Sequence, residues 1–381
     1  MKMLKTDVLV IGAGAAGLGI AHALAVRGLK VCVLERETRP ARHASGRNAG
    51  MIRQAIADPL IARLAVEGRN ELAALVDSHW PGVRFRPIGS LLLAANSKIR
   101  ELSKIAACLE HLSVPVCAFD SREASQKVSL LNGADFRRAL FCPSDGVVEI
   151  GPLFDAMALQ AARLGVKFVY NRLFKTIEAA SATGIFTLRL SDGTILKASR
   201  VINAAGAWAS LVGQRAGASK IPLVAYRRHL FESGAFGPMP KYWPFVWDLS
   251  ASFYFRPEGR GLLLSACDQE AVELTFADNA AAFEKESRAR RAELVGKLRR
   301  FSFEFGPLKL LRGKAGLRTI SADERFVLGE DPRLKGFYWA AGLGGHGVTT
   351  AFAVGRYIAD LLTGKKADPE LNKAFSPARF G

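Results

Sequence analysis

The sequence predicts an α/β protein in which a doubly wound, parallel-sheet domain is interrupted by a mostly antiparallel α+β domain. Three observations carry this. The apolar run Asp7 to Ile11 opens directly onto Gly12-Ala-Gly-Ala-Ala-Gly17. A second glycine-rich turn, Gly342 to Gly347, opens a helix near the other end of the chain. Between them, Pro87 to Ala94, Tyr254 to Arg256 and Gly261 to Ser265 read as strands of a second sheet. At 381 residues the chain exceeds one average core.

The first segment holds the parts of a dinucleotide fingerprint in order. Asp7 to Ile11 suits a buried parallel strand. Gly12 permits a tight turn, Gly14 lets the backbone approach a pyrophosphate, and Gly17 lets the helix Leu18 to Arg27 pack closely. That helix N-terminus, with Ala16 in its first turn, offers free N–H groups and a positive dipole end to phosphates. Gly28 ends the helix, Val31 to Leu34 makes the next strand, and Glu35 closes it where ribose hydroxyls would need an acceptor. Ser45 to Gly50, with two glycines, can bring its backbone close to a ligand. Helical periodicity covers Leu60 to Leu75 and Leu153 to Leu164. Ala204 to Ala207 is a run of small residues suited to a strand end under a flat ligand. Gly342 to Gly347, ahead of a helix running from Val348 through Leu362, again aims a helix N-terminus at a negative group.

These dispersed pieces assign 1–82, 145–215 and 320–370 to the dinucleotide domain, 83–144 and 216–319 to the second domain, and 371–381 to a C-terminal tail. Composition is that of a globular chain, 49% hydrophobic and 23% charged. The net charge of +18 fits attraction of anionic substrates and cofactors, or of a membrane surface. The densest basic cluster (Arg288, Arg290, Arg291, Lys297, Arg299, Arg300) reads as the solvated face of a helix from Ala280 to Arg300, and no nucleic-acid motif accompanies it. Five dispersed cysteines without CxxC or metal-ligand spacing point to reduced thiols in a cytoplasmic protein and to no metal site. Lys2, Lys5 and the apolar run Val8 to Val26 imitate a secretory signal, but the glycine spacing explains that run better. A peripheral seat on the inner face of a membrane is the other location compatible with the charge.

The fingerprint alone does not separate a nicotinamide from a flavin dinucleotide. Leu34-Glu-Arg36, Ser45-Gly-Arg-Asn-Ala-Gly50, Val201-Ile-Asn-Ala-Ala-Gly-Ala-Trp208 and Ala341-Gly-Leu-Gly-Gly-His-Gly-Val348 resemble the successive cofactor signatures of the D-amino-acid oxidase/dehydrogenase family, which includes glycine and sarcosine oxidases. Order and spacing fit from residue 7 to about 363. Within that family, Asn203 to Trp208, Ser252-Phe-Tyr254 and Ala315-Gly-Leu-Arg318 resemble bacterial D-arginine dehydrogenase most. The resemblance implies a Rossmann-type FAD-binding domain. The FAD would be held by Gly12, Gly14, Ala16, Gly17, Glu35, Arg36, Ser45, Asn48, Ala49, Gly50, Met51, Phe174, Ala205, Gly206 and Trp208, with Gly344, Gly345, His346, Gly347, Val348 and Thr349 at the flavin end. A family cysteine that bonds flavin covalently falls at Gly316, so the FAD is expected to be non-covalent.

The resemblance also implies a small carboxylate-bearing substrate, dehydrogenated by hydride transfer from Cα to flavin N5. Arg318 would clamp the carboxylate, a task suited to the planar arginine fork. Tyr254 would assist it, and Arg227 would stand near the same pocket. Polar pocket residues of D-arginine dehydrogenase fall at Ile88, Met51 and Ile56, which implies an apolar pocket and a small D-amino acid, N-alkyl or imino acid instead of a basic one. An oxygen-activating family lysine falls at Leu263, favouring a quinone or carrier over oxygen as electron acceptor. His346 reads as packing or backbone-orienting. A 2-hydroxy acid dehydrogenase is the runner-up, and a non-catalytic flavin-binding partner protein is the reading from another class.

Overall fold

A computed structural model describes residues 3–78, 80, 82–178, 184–235, 240–278, 281–365 and 368–381; Lys2 and Ala280 lie outside them. Among the described residues no helix is long and apolar enough to cross a membrane.

Two large sheets carry the molecule. The first has five parallel strands in the order Lys167–Val169, Val31–Leu34, Met3–Ile11, Ile195–Asn203 and Phe337–Ala341. Antiparallel strands Phe186–Leu190 and Val327–Glu330 extend it. Val31–Leu34, Phe337–Ala341 and the Val8 to Ile11 end of the first strand are continuous buried apolar runs because both faces are covered there. The fold class is as expected from the sequence.

The helix Ala15–Val26 is apolar all round and is buried on one face of that sheet beside Gly347–Leu362. The two helices cross through glycine: a Cβ at Gly19 would stand 2.2 Å from the Ala351 carbonyl oxygen, and one at Gly355 would stand 2.3 Å from that of Gly19. The two glycine-led helices are thereby locked together at backbone distance.

The second sheet is nine-stranded and mostly antiparallel. Its site-forming edge is the pair Leu223–Ser233 and Leu310–Ser321, in register from Leu223–Ser321 to Glu232–Arg312 and shifted by one residue at Ser233–Leu310. Gly261–Ser265, Phe253–Glu258 and Phe245–Asp248 follow in that order, then Ser90–Ala94, joined to Phe245–Asp248 in parallel. Phenylalanines 253, 255, 301 and 305 fill the core between this sheet and the helix Arg288–Phe301.

Two local expectations are corrected, and one strand is added. The segment read as one basic helix is two, Ala281–Glu284 and Arg288–Phe301, parted where Ser287 turns extended. Three of its six basic residues are engaged: Arg290 and Lys297 pair with Glu293, and Arg291 with Glu286. The stretch after residue 370, set apart as a tail, puts Leu371, Ala374 and Phe375 into the core of the parallel-sheet layer. Leu310–Ser321, which was not read as a strand, is a long one whose outward residues Arg312 and Lys314 hid the pattern.

Candidate active site

At the first glycine loop the chain passes within backbone contact of itself. Gly12 holds φ +107°, and a Cβ there would meet the Ala204 carbonyl oxygen at 2.4 Å. A Cβ on Gly17 would stand 1.9 Å from the Gly12 carbonyl oxygen. Gly14 caps the helix without a side-chain bond, and the Ser45 hydroxyl accepts from the Ala15 N–H at 2.9 Å. Glu35 is buried and accepts from the N–H groups of Ala13 (2.7 Å) and Glu37 (2.9 Å). Burial pushes its carboxyl above the usual range, and those two bonds oppose the shift.

Three cavities run end to end from this loop. The first is lined by Gly12, Gly14, Glu35, Arg36, Phe174 and Ala205 to Trp208, with Arg36 lying 4.8 Å over the Trp208 ring. It meets the second at Gly14, Ser45, Ala204 and Gly206; the second continues along Ala16, Asn48 and Gly342 to Val348. The third joins at Asn48, Arg318, Gly344 and Gly345. A long ligand with an anionic middle fits this run: glycine stands where a Cβ would fill it, and helices start at two points along it. Of the expected cofactor residues, Gly17 and Gly50 do not line the cavities. Both shape them from behind, since a Cβ on Gly50 (φ +69°) would sit 2.5 Å from the Val148 carbonyl oxygen.

The third cavity, about 220 Å³, is lined by Ala49, Met51, Arg53, Arg228, Trp247, Tyr254, Gln269, Arg318, His346 and Thr349 besides the shared residues. Strand pairing explains its arginines. Gly316 lies opposite Arg228 and Tyr226 opposite Arg318, so Arg228 and Arg318 share one face of the paired strands. Arg318 packs against Gly345, where a Cβ would come within 2.6 Å of its Nη1. Burial first, then the positive charge of Arg228, pushes its guanidinium down to about 10. Among the described residues it has neither a carboxylate partner nor a side-chain hydrogen bond. Tyr254 is fully buried beside Ser265, and among the described residues its hydroxyl makes no well-formed hydrogen bond. Ser265, opposite it, gives its own hydroxyl to the His229 carbonyl at 2.7 Å.

Arg227 is a correction. One position off in a strand, it points to the other face, where it donates to the Lys285 carbonyl and lies 3.9 Å from Glu270. Arg228 stands in the cavity instead. The apolar pocket is a correction too: Met51 lines the cavity, but Ile56 belongs to the core and Ile88 lies elsewhere. Arg53 and Arg228 were not singled out by sequence reasoning. The alternation in Tyr226-Arg-Arg-His229 offers two choices, and only the register with Arg318 selects one. His346 caps the helix Gly347–Leu362 through its backbone; burial, then the charges of Arg53, Arg318 and Arg228, hold its imidazole well below the usual range.

A family model described as FAD dependent oxidoreductase matches residues 7–361. FAD-dependent oxidoreductase domain-containing protein 1 of Bos taurus is 24% identical over 94% of this chain and 81% of its own length. Mitochondrial dimethylglycine dehydrogenase of Homo sapiens is 22% identical over 99% of this chain, which spans 44% of that relative. Among solved structures, L-proline dehydrogenase from P. horikoshii superimposes with a TM-score of 0.86 at 24% identity, covering 99% of this chain and 98% of that one.

Proposed function

The chain belongs to the FAD-dependent oxidoreductase family, and on that premise we propose that it oxidises the C–N bond of a small amino acid. The substrate is a D-amino acid or an N-alkyl or imino acid, and hydride leaves Cα for flavin N5. The observation that carries this is Arg318: an enclosed guanidinium without a partner among the described residues, in one cavity with the Tyr254 hydroxyl, itself without a well-formed hydrogen bond among them. An arginine fork meets a planar carboxylate with two parallel hydrogen bonds, and Tyr254 supplies a further donor. Fixing the carboxylate fixes Cα, which is the positioning that the reaction needs. Dimethylglycine dehydrogenase and L-proline dehydrogenase are named for substrates of this class.

FAD, bound non-covalently, supplies the two-electron acceptor. The chain's arginines act on the substrate nitrogen. Positive charge from Arg53, Arg228 and Arg318 disfavours an ammonium in the cavity, so the amine enters neutral with its lone pair free. As hydride leaves Cα that lone pair forms the C=N bond, and water outside the site hydrolyses the imine. A 2-hydroxy acid would need a base for its hydroxyl proton, and the same three charges oppose proton uptake by His346. By resemblance the oxygen-activating lysine of the family falls at Leu263, whose side chain is buried and apolar, and this supports a quinone or carrier as acceptor.

The test is anaerobic reduction of the FAD-loaded enzyme by a panel of D- and L-amino acids, N-methyl amino acids and 2-hydroxy acids. At least one amine should bleach the flavin, and a quinone analogue should reoxidise it faster than oxygen. Bleaching by hydroxy acids alone, or by none of the panel while dithionite still reduces the flavin, would overturn the reading.

A further inference from the structure

One cation in the third cavity has no task in the carboxylate clamp. Arg53 comes from the segment after the short strand Met51–Ile52, away from the strand pair that carries Arg228 and Arg318. Its guanidinium lies 4.0 Å over the Trp247 ring, and Trp247 stacks in turn on Tyr254 at 4.7 Å. A cation held flat on an aromatic face is fixed in direction while its N–H edge stays open. Among the described residues that edge meets no carboxylate and no hydrogen-bond acceptor. The carboxylate acting on it most strongly is Asp145, behind the cavity. Asp145 gives Arg53 charge but no hydrogen bond: its oxygens accept from the Ser90 hydroxyl (2.6 Å), the Gln54 N–H (2.8 Å) and the Gln54 side-chain amide (2.9 Å).

A monocarboxylate leaves hydrogen-bond donors in the cavity unmatched. Arg228 spends donors on the carbonyls of Asp268 (2.9 Å) and Cys267 (3.2 Å), and its charge faces the Asp268 carboxylate. Among the described residues no aspartate or glutamate lines the space. One substrate carboxylate between Arg318 and Tyr254 leaves the N–H edge of Arg53 without an acceptor. Enclosed donors left without an acceptor are costly, and a protein that retains them in a ligand cavity is matched to a ligand that supplies one.

We propose that Arg53 is a second anion subsite and that the substrate carries two carboxylates: an acidic amino acid, or an amino acid bearing its second carboxylate on the nitrogen. This rests on the amino-acid reading of the cavity and narrows it. The first carboxylate takes Arg318 and Tyr254, and the second reaches Arg53, in a bond preorganised by Trp247.

The test uses the FAD-loaded, full-length enzyme. Binding of unreactive acids is followed by perturbation of the flavin spectrum, with succinate and glutarate against acetate and propionate. The dicarboxylates should bind tighter by about tenfold or more. Arg53→Gln should weaken the dicarboxylates more than the monocarboxylates and bring the two to within about twofold of each other, and FAD content should match wild type. Anaerobic flavin reduction then compares D-aspartate and D-glutamate (side-chain carboxylate) with iminodiacetate and N-carboxymethyl-D-alanine (nitrogen-linked carboxylate), against D-alanine and sarcosine. Preference for either dicarboxylate group supports the proposal and tells the two sources apart. Equal affinity of mono- and dicarboxylates for the wild-type enzyme would overturn it without recourse to any variant. Loss of FAD from both Arg53→Gln and Arg53→Lys would also overturn it, assigning the arginine to the dinucleotide. If D-alanine or sarcosine reduces the flavin best, the second subsite is wrong and the amino-acid reading stands; if no amine reduces it, both fall.

Discussion

The glycine-lined cradle and the arginine-lined cavity share residues at Asn48, Gly344 and Gly345, yet they are made in opposite ways. The cradle is made from missing side chains. At Gly12, Gly17 and Gly19 a single added carbon would strike a backbone oxygen at 2.4, 1.9 and 2.2 Å. The cavity is made from long side chains delivered by distant elements, Arg53, Arg228, Tyr254 and Arg318, whose meeting depends on strand register. Errors in the two regions should therefore differ in kind: in the cradle they break the fold and cofactor retention together, and in the cavity they leave a yellow, folded, impaired enzyme.

The sharpest break is expected at Gly17. Gly17→Ala puts its methyl against the Gly12 carbonyl, where neither backbone can retreat, at a cost of at least about 3 kcal/mol. Soluble yield and FAD content should both collapse. Gly28→Ala is the control: φ is +80° but nothing lies within 4 Å, so only the left-handed backbone cost of about 1–2 kcal/mol applies. Equal behaviour of the two variants, in thermal melting and flavin content, would mean that the close approach does not govern the cradle.

In the cavity the largest effect belongs to Arg318. Removing one partner of an enclosed charge pair costs about 2–5 kcal/mol, or roughly 30-fold to several thousand-fold in kcat/KM. Arg318→Lys should be impaired too, because it keeps the charge and loses the fork. FAD content should be unchanged in both. An Arg318→Ala enzyme that holds FAD and is reduced within about threefold of wild type would remove the clamp.

Next in size is the contrast between neighbours. Arg228→Met should lower kcat/KM by about tenfold to 150-fold, the range for a charged hydrogen bond, and should lower the melting temperature by orphaning the carbonyls of Asp268 and Cys267. Arg227→Met, on the other face, should leave kcat/KM within about twofold. The reverse ranking would mean that the strand presents its other face to substrate.

What was legible in the sequence follows the same division. Gly12 to Gly17, Glu35 and Gly344 to Val348 could be placed because their demands are local: a tight turn, a strand end, a helix start. Gly261–Ser265 was legible as a strand because all its residues are buried and its run is wholly apolar. Arg227 was chosen over Arg228 because choosing correctly requires knowing that Arg228 pairs with Gly316, two residues from Arg318. Arg53 carried no local signal; its meaning lies in Trp247, nearly two hundred positions away. Ile88 and Ile56 were read as pocket residues by linear correspondence, and the fold carries both away from it.

His346 stands at the junction of the two regions, and its change should be the smallest. Its backbone caps the helix that ends the cradle, and its ring lines the arginine cavity. Burial and the charges of Arg53, Arg318 and Arg228 all lower its pKa, so the folded state favours neutral imidazole. The unfolded chain then binds the proton more readily than the folded one between the lowered value and the ordinary value near 6.5. Stability through this group is fully present above about pH 6.5 and falls as pH drops below it. His346→Asn, which cannot be protonated, removes that dependence while keeping a polar side chain at the cavity wall. The melting temperature of wild type should fall more steeply than that of the variant between pH 7.5 and 5.5, and the two curves should converge towards acid. In kcat/KM the variant should stay within about tenfold of wild type, since the neutral amine needs no base. Parallel melting curves would mean that the imidazole escapes the arginines' field. A loss of a thousandfold or more would make His346 a proton acceptor, and the neutral-amine reading would then fail.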